Sequence, residues 1–414
     1  MRSPYLASAG IIAGAGLLQV ANALIAVLLP VQLSALGSSS TVVGLVATAY
    51  GSGFLLGCLR APHLVRSVGH IRAFSVLAAI TSTLTLVYLS SSTPLTWIAL
   101  RFFSGFALAG MYSIVEGWLA AAAPTLARGR VLGAYLVATK LATVAGQVLV
   151  GLHPLEIAGL FVTASGIFSL ALVPIALTRT SEPAAPRLVS LQLGPIWRVA
   201  PASLAGCLSA GMLNAPISSL VPVWADRLGV PVSLVVVLLS AMQIGSLVLQ
   251  WPLGWLSDRI DRRLVILGCA GAVAILSIVI ATASTGSAPV LVVLFGLWGA
   301  VSMSFYGICV AHASDHAQPD EMVRVSSGAL FSWASGSTIG PLIAAPAIDL
   351  IGPDGLWIYA TAVSAVLSLF VAWRMTRRAP VPLEGREAFI NLPATSPRLA
   401  EIDPRSAGRN EAGA

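Results

Sequence analysis

Asn22-Ala-Leu-Ile-Ala-Val-Leu-Leu-Pro30-Val-Gln-Leu-Ser-Ala-Leu-Gly37 returns later in the chain as Asn214-Ala-Pro-Ile-Ser-Ser-Leu-Val-Pro222-Val-Trp-Ala-Asp-Arg-Leu-Gly229. Eight residues are identical, and each lies 192 positions from its counterpart (214 − 22). Further on, Tyr112, Arg130 and Gly146 match Tyr306, Arg324 and Gly340, each 194 positions away (306 − 112). Constant spacing across long apolar runs marks two copies of one design. Internal repeats that meet at the midplane are the plan of many membrane proteins that carry solutes.

The composition around the repeat fixes the solvent. Of 414 residues, 57% are hydrophobic and 9% charged, whereas a soluble domain carries about 25% charged residues. The net charge of +7 does not imply nucleic acid, because the basic residues form no single polar face. They fall in short breaks between apolar runs, the pattern that sets membrane topology. Cys58, Cys207, Cys269 and Cys309 lie in or at the ends of those runs with no C-x-x-C spacing, and read as small apolar fillers. The N-terminal run interrupted by Gln19 and Asn22 is too long for a signal peptide and reads as a first span.

A spanning helix needs about 20 mostly apolar residues. Twelve such spans are predicted: Ser8–Leu33, Thr41–Ala61, Arg72–Ser90, Leu95–Ala123, Val131–Leu152, Ile157–Thr178, Val199–Ala225, Val232–Trp255, Arg263–Ala283, Pro289–Ser314, Arg324–Ile348 and Leu356–Thr376. The fold class is therefore an all-α membrane protein of two pseudo-symmetric six-helix bundles, residues 1–178 and 199–378. Residues 179–198, with Pro183, Pro186 and Pro195, form the linker between them, and 379–414 form a tail without apolar period, expected to be disordered. With both termini cytoplasmic, the inside segments hold 20 of the 23 basic residues, and the outside loops hold Arg227 alone.

Spans 4 and 5 contain Arg101, Glu116 and Lys140, the last being the only lysine. An ionisable residue in an apolar span is a functional-site candidate. Glu116 lies seven residues from the inner end of span 4 and Lys140 nine into span 5. Both are then about 10–14 Å from the inner ends, and an ion pair between them is expected. Arg101 is 15 residues from Glu116, about 22 Å along the same helix, too far to pair with it. Two readings of Glu116 and Lys140 stand: a protonatable site sensed by cargo, or a static pair that fixes packing.

Gln19, Asn22, Gln147, Asn214 and Gln243 interrupt spans as polar amides and are expected to face the interior. Asn22 and Asn214, matched by the repeat, are the candidates for opposite walls of one cavity, the alternative being helix–helix hydrogen bonds. Tyr50 joins them as a cavity candidate, and Trp333 as a weaker one. Pro30 and Pro222 are expected to kink the outer ends of spans 1 and 7.

Gly254-Trp-Leu-Ser-Asp258-Arg259-Ile-Asp-Arg262-Arg263 falls between spans 8 and 9. It resembles the loop signature G-x-L-a-D-r-x-G-r-r of the major facilitator superfamily, with Asp261 in place of the signature glycine. The first-half equivalent, Gly57 to Arg72, keeps glycines and arginines but has no acidic residue. Arg101-Phe-Phe-Ser-Gly105 resembles the family's span-4 pattern R-x-x-q-G, with Ser104 where glutamine is usual. The antiporter signature of span 5 is missing, since Gln147 follows Gly146, and a similar Gly336-x-x-x-Gly340-Pro341 occurs in span 11 instead. The stretches Gly110-Met-Tyr-Ser-Ile-Val-Glu116-Gly-Trp118-Leu and Ala311-His312-Ala-Ser-Asp315-His316 are similar to the YcaD-like branch of bacterial transporters in that superfamily.

The resemblance implies secondary active transport of a small organic solute by alternating access. Glu116, His312 and His316 make protons the expected coupling ion. It also implies a cytoplasmic gate of Gly254, Asp258, Arg259, Arg262, Arg263, His312, Asp315 and His316, the alternative for the loop being plain positive-inside anchoring. Three clustered ligands without a fourth argue against a metal at His312, Asp315 and His316. No cofactor, no metal and no nucleic acid are expected. The partners are a small-molecule substrate, protons and the lipid bilayer of a bacterial inner membrane, with the protein a monomer. No G-K-[ST] is present for an ATP-driven pump, and no nucleophile–base set suggests an enzyme. Two cationic groups against one carboxylate lean toward an anionic or zwitterionic cargo. Efflux of amphipathic drugs or metabolites and a non-transporting sensor are the alternatives.

Overall fold

A computed structural model describes residues 4–91, 93–123, 127–152, 157–178, 183, 193–283, 286–316, 321–377, 379, 381–382, 386, 388–391 and 394–396. Twelve of its helices are long and apolar enough to cross a membrane. In chain order they are α1 (Ser8–Ala35), α2 (Ser40–Val68), α3 (His70–Ser90), α4 (Pro94–Ala122), α5 (Arg128–Leu152), α6 (Ile157–Ala176), α7 (Pro201–Arg227), α8 (Val232–Arg259), α9 (Arg262–Thr282), α10 (Ala288–Ser314), α11 (Arg324–Ile351) and α12 (Gly355–Arg377). They match the twelve predicted spans in order. Helices suit this sequence because in hydrocarbon every backbone N–H and C=O must be satisfied within its own segment.

The repeat is visible in the helix ends. α1 and α7 both finish on a glycine with positive φ, Gly37 at 73° and Gly229 at 69°. In both, the residue after the glycine reaches back five positions, Ser38 N–H to Leu33 O at 3.0 Å and Val230 N–H to Ala225 O at 2.8 Å. This Schellman closure needs a left-handed residue, which glycine supplies without steric cost. α1 and α7 continue through Pro30 and Pro222 without a break, so the expected kinks do not interrupt either helix.

Packing repeats too. Within the first bundle α2 packs on α4, α1 on α5 and α3 on α6; within the second α8 packs on α10, α7 on α11 and α9 on α12. The tightest crossings are made by glycines. A Cβ on Gly53 would fall 1.9 Å from Phe102 O of α4, and one on Gly245 would fall 2.0 Å from Gly296 O of α10. Between helices in lipid, such close approach supplies the packing contacts that the hydrophobic effect does not.

Three features depart from the sequence reading. α6 is interrupted at Ala171 and α10 at Met303 and Ser304. A short helix, Leu193–Val199, occupies the end of the expected linker, and its Ile196 packs with Leu204, Ala313 and Val325; of the rest of the linker, only Pro183 lies among the described residues. The tail is not wholly structureless: Phe389, Ile390 and Ala394 pack against the core.

The two bundles touch along α2·α11, α5·α8, α1·α7 and α2·α7. We call the end of the molecule that carries Arg66, Arg128, Arg259 and Arg262 the basic end, and the opposite end the far end.

Candidate functional site

The far end is closed by one carboxylate. Asp349, on the last turn of α11, accepts from the backbone N–H of Ser40 at 3.1 Å and of Thr41 at 2.9 Å, and from the Thr41 hydroxyl at 2.7 Å. These are free donors at the N-terminus of α2, where a negative charge also meets the positive end of the helix dipole. Arg227, at the end of α7, pairs with the same carboxylate and donates to Ile348 O at 3.1 Å. Asp349 thus joins α2 of the first bundle to α7 and α11 of the second. Below it, α2 and α11 approach through small residues: a Cβ on Gly44 would fall 2.4 Å from Ala345 Cβ, and the Thr48 hydroxyl donates to Thr338 O at 3.0 Å. The sequence reading missed Asp349. The available signal was an acidic residue at the mouth of span 11 facing the lone outside arginine.

The second seam is a zipper between α5 and α8. Lys140 Nζ donates to Gln243 Oε1 at 2.8 Å, the Ser240 hydroxyl donates to Gln147 Oε1 at 3.4 Å, and Gly151 faces Val236. Residue numbers rise on α5 as they fall on α8, as antiparallel helices require.

Between the bundles lies a cavity of about 380 Å³. Gln19, Asn22, Tyr50, Arg101 and Lys140 line it from the first bundle, and Asn214, Gln243 and Trp333 from the second. Of the expected cavity residues, Gln147 is not among the lining. It is buried in the α5–α8 seam, two turns beyond Lys140 toward the far end, where the helices have already met. Tyr112 and Tyr306, matched by the repeat but not expected in the cavity, also line it, as do Gln250 and the hydroxyl residues Tyr135, Thr143, Ser219 and Ser337. Hydroxyls in spans usually serve local hydrogen bonds, so the sequence does not mark them as lining.

The polar lining is ordered by hydrogen bonds. Tyr112 donates to Gln19 Oε1, and Gln19 Nε2 donates to the Thr143 hydroxyl at 2.9 Å. The guanidinium of Arg101 lies 4.4 Å from the centre of the Tyr50 ring, a cation–π contact. Tyr50 leads through Phe54 to Trp333 and Tyr306, an aromatic path with ring separations of 6.2–6.5 Å that crosses from one bundle to the other. The repeat partners Asn22 and Asn214 both line the cavity, and each has a buried Oδ1 with no hydrogen-bond partner among the described residues. The Asn214 amide N–H donates weakly, at 3.4 Å, to Ser302 O beside the break in α10.

The expected Glu116–Lys140 ion pair is absent among the described residues. Glu116 is completely buried and accepts from the Tyr135 hydroxyl at 2.7 Å and from the Thr395 hydroxyl of the tail, while Lys140 turns to Gln243 of the other bundle. The reason is azimuth. Tyr135 and Lys140 are five residues apart on α5 and therefore point roughly 140° away from each other. The helix face that meets α4 carries Tyr135, and Lys140 is left for the cavity and the partner bundle.

The expected gate residues at the basic end cluster within the second bundle. Arg262, buried, pairs with Asp315 at 2.7 Å and Asp258 at 3.1 Å, and donates to the Ser257 hydroxyl at 2.9 Å. Arg263 pairs with Asp261 at 2.7 Å. Arg259 stacks on Trp255 at 3.7 Å. His312 is buried, with its ring 5.0 Å from that of His316. No group of three or more metal-ligating side chains occurs among the described residues.

The Major Facilitator Superfamily sequence profile matches residues 11–327 and 202–402. The chain belongs to the major facilitator superfamily. Among its relatives, an uncharacterised MFS-type transporter of Enterobacter sp. (strain 638) is 27% identical over 376 residues, covering 90% of this chain and 97% of the relative. The uncharacterised MFS-type transporter YcaD of Shigella flexneri serotype 5b (strain 8401) is 26% identical over 379 residues, covering 90% and 97%. The fold of this superfamily member is also similar to solved structures. A nucleoside transporter, NupG, matches with a TM-score of 0.74 at 12% identity, over 90% of this chain and 100% of that one. A bacterial homologue of the human lysosomal transporter Spinster, solved inward-facing and unoccupied, matches with a TM-score of 0.73 at 13% identity, over 93% and 98%. A D-xylose–proton symporter matches at 0.69 and 14%, over 92% and 99%. The resemblance read from the loop, span-4 and Glu116 motifs is thus borne out, as is the twelve-helix architecture.

Proposed function

We propose that this superfamily member is a secondary active transporter that moves a small anionic or zwitterionic organic solute by alternating access, driven by protons, in a bacterial inner membrane with the basic end cytoplasmic. The observation that carries the reading is the cavity between the bundles, faced by Arg101 and Lys140 with Glu116 buried behind Tyr135. The two cations suit an anionic group of the cargo. The side chains of Asn22 and Asn214, one from each bundle, add amide groups to the lining for polar groups of the same molecule. Glu116 is the proton carrier: its hydroxyl partners accept either protonation state by rotating, so it can load and release a proton without a permanent counter-ion. Lys140 links cargo to conformation, because its bond to Gln243 spans the bundles and cargo competes for that ammonium.

The test begins with a ligand-stabilisation screen of the purified protein against organic acids, amino acids and nucleosides. A hit stabilises the native chain and loses its effect in Lys140→Ala. In proteoliposomes with an imposed pH gradient, Glu116→Gln is expected to abolish gradient-driven accumulation while retaining exchange of cargo. Accumulation at the native rate in Glu116→Gln would remove the proton role. The aromatic path from Tyr50 to Tyr306 favours a second reading, efflux of amphipathic compounds. Under that reading, aromatic cations keep their stabilising effect in Lys140→Ala.

A further inference from the structure

The tail beyond α12 enters the molecule at the basic end and makes contacts on both bundles. The Phe389 N–H donates to both carboxylate oxygens of Asp258, at 2.9 and 3.0 Å. Its ring fills a notch that exists because two residues lack side chains. A Cβ on Gly254 of α8 would fall 2.1 Å from the ring, and one on Gly307 of α10 would fall 3.3 Å from the ring and 2.8 Å from Asn391 Oδ1. Arg386 donates to Ile260 O at 2.5 Å and folds back on Val381 O at 2.6 and 2.9 Å. On the other bundle, the Thr395 hydroxyl donates to buried Glu116. Asn391, Ala394 and Thr395 become part of the cavity lining.

We propose that the cleft at the basic end is a peptide-binding site, that its ligand is the chain's own segment around Phe389-Ile-Asn391 and Thr395, and that this segment competes with cargo. The site reads the segment by three elements: a carboxylate for a backbone N–H, a glycine-walled notch for an aromatic ring, and a buried carboxylate for a hydroxyl. Backbone recognition plus a side-chain pocket is a general way to hold an extended segment. Tethering makes the site effective. Eight residues, 378–385, separate Arg377, the end of α12, from Arg386. A tether this short holds the segment at an effective concentration on the order of millimolar. Because the segment touches α8 of one bundle and α4 of the other, it also holds the bundles apart at this end, and they cannot close while it is bound.

The cargo-competition part rests on the transport reading; binding of the segment does not. Hydrogen–deuterium exchange of the full chain in lipid nanodiscs separates the two. The Phe389 amide is expected to exchange at least about tenfold more slowly than in a synthetic peptide of the same sequence free in solution, given its hydrogen bond to Asp258. Phe389→Asp, which alters only the tail, and Gly254→Leu, which fills the notch, are each expected to bring this amide to the free-peptide rate while α8 and α10 keep their protection. Free-peptide exchange in the native chain, or protection that survives both substitutions, overturns the binding site. With a cargo from the stabilisation screen, Phe389→Asp is expected to lower its apparent Kd several-fold. An unchanged Kd with a released tail overturns the competition.

Discussion

Asp261 stands where the superfamily loop signature has glycine. It caps α9 by accepting the Arg263 N–H at 3.0 Å and takes the Arg263 guanidinium at 2.7–3.1 Å. Partial burial pushes its pKa up, but the Arg263 hydrogen bonds and charge pull harder, and the carboxyl ends below its ordinary value. A depressed carboxyl contributes stability above its unfolded pKa and loses it as pH falls through the folded value. Asp261→Asn keeps a cap acceptor and loses the ionisation, so it is expected to flatten the acid side of a melting-temperature profile. Asp261→Ala loses the cap as well, about 1 kcal/mol more. Thermal melts from neutral pH down to about pH 3, below the ordinary aspartate pKa, distinguish the two. At this same scale, Arg101, Glu116 and Lys140 were legible from sequence because charge in an apolar span is rare and meaningful. Their partners were not. Depth along a helix follows from counting residues, but the direction around it depends on which face the neighbours take, and Tyr135 rather than Lys140 took the one facing α4.

The elements were legible where glycine carried the signal in both copies. Gly146 and Gly340, paired by the repeat, mark the same crossing twice: a Cβ on Gly146 would fall 2.2 Å from Val20 O, and one on Gly340 would fall 2.8 Å from Met212 O. Val20 and Met212 are themselves 192 apart (212 − 20), so the geometry reproduces the sequence offset. Replacing either glycine by alanine gains up to about 1 kcal/mol of helix propensity. It is nonetheless expected to destabilise, because forcing a methyl into a backbone contact costs about 1–3 kcal/mol. Gly133→Ala, where nothing lies within 4 Å, is the control and is expected to hold or raise the melting temperature. The break in α10 was not legible. Ser302-Met-Ser-Phe305 contains neither proline nor glycine, and the Ser302 carbonyl beside the break is met by Asn214 from α7, a contact that exists only after the second bundle has packed. The Phe389 segment escaped for a similar reason. Three apolar or amide residues in a charged tail have no period, and their notch appears only once α8 and α10 bring Gly254 and Gly307 together.

At the scale of the whole molecule, the two ends differ. The far end is joined across the bundles by Asp349 with Ser40, Thr41 and Arg227, and by the α5–α8 seam. At the basic end, the ion pairs of Asp258, Arg262 and Asp315 stay within one bundle, and the tail lies between the bundles. This is the expected geometry of a state that admits cargo from the basic end. Under the proposed alternating access, one six-helix bundle rocks against the other and exchanges the closed end. Asp349→Asn weakens the far-end contact without touching the cavity, and is therefore the lever on that equilibrium. The direct measurement is double electron–electron resonance on spin-labelled protein in lipid nanodiscs, with one label pair at Leu36 and Asp354 on the far end and a second at Arg66 and Arg259 on the basic end. In Asp349→Asn the far-end distance is expected to gain a longer population while the basic-end distance gains a shorter one, in matching proportion. Distances at both ends that stay single and unchanged, or that lengthen together, would contradict alternating access between these two bundles.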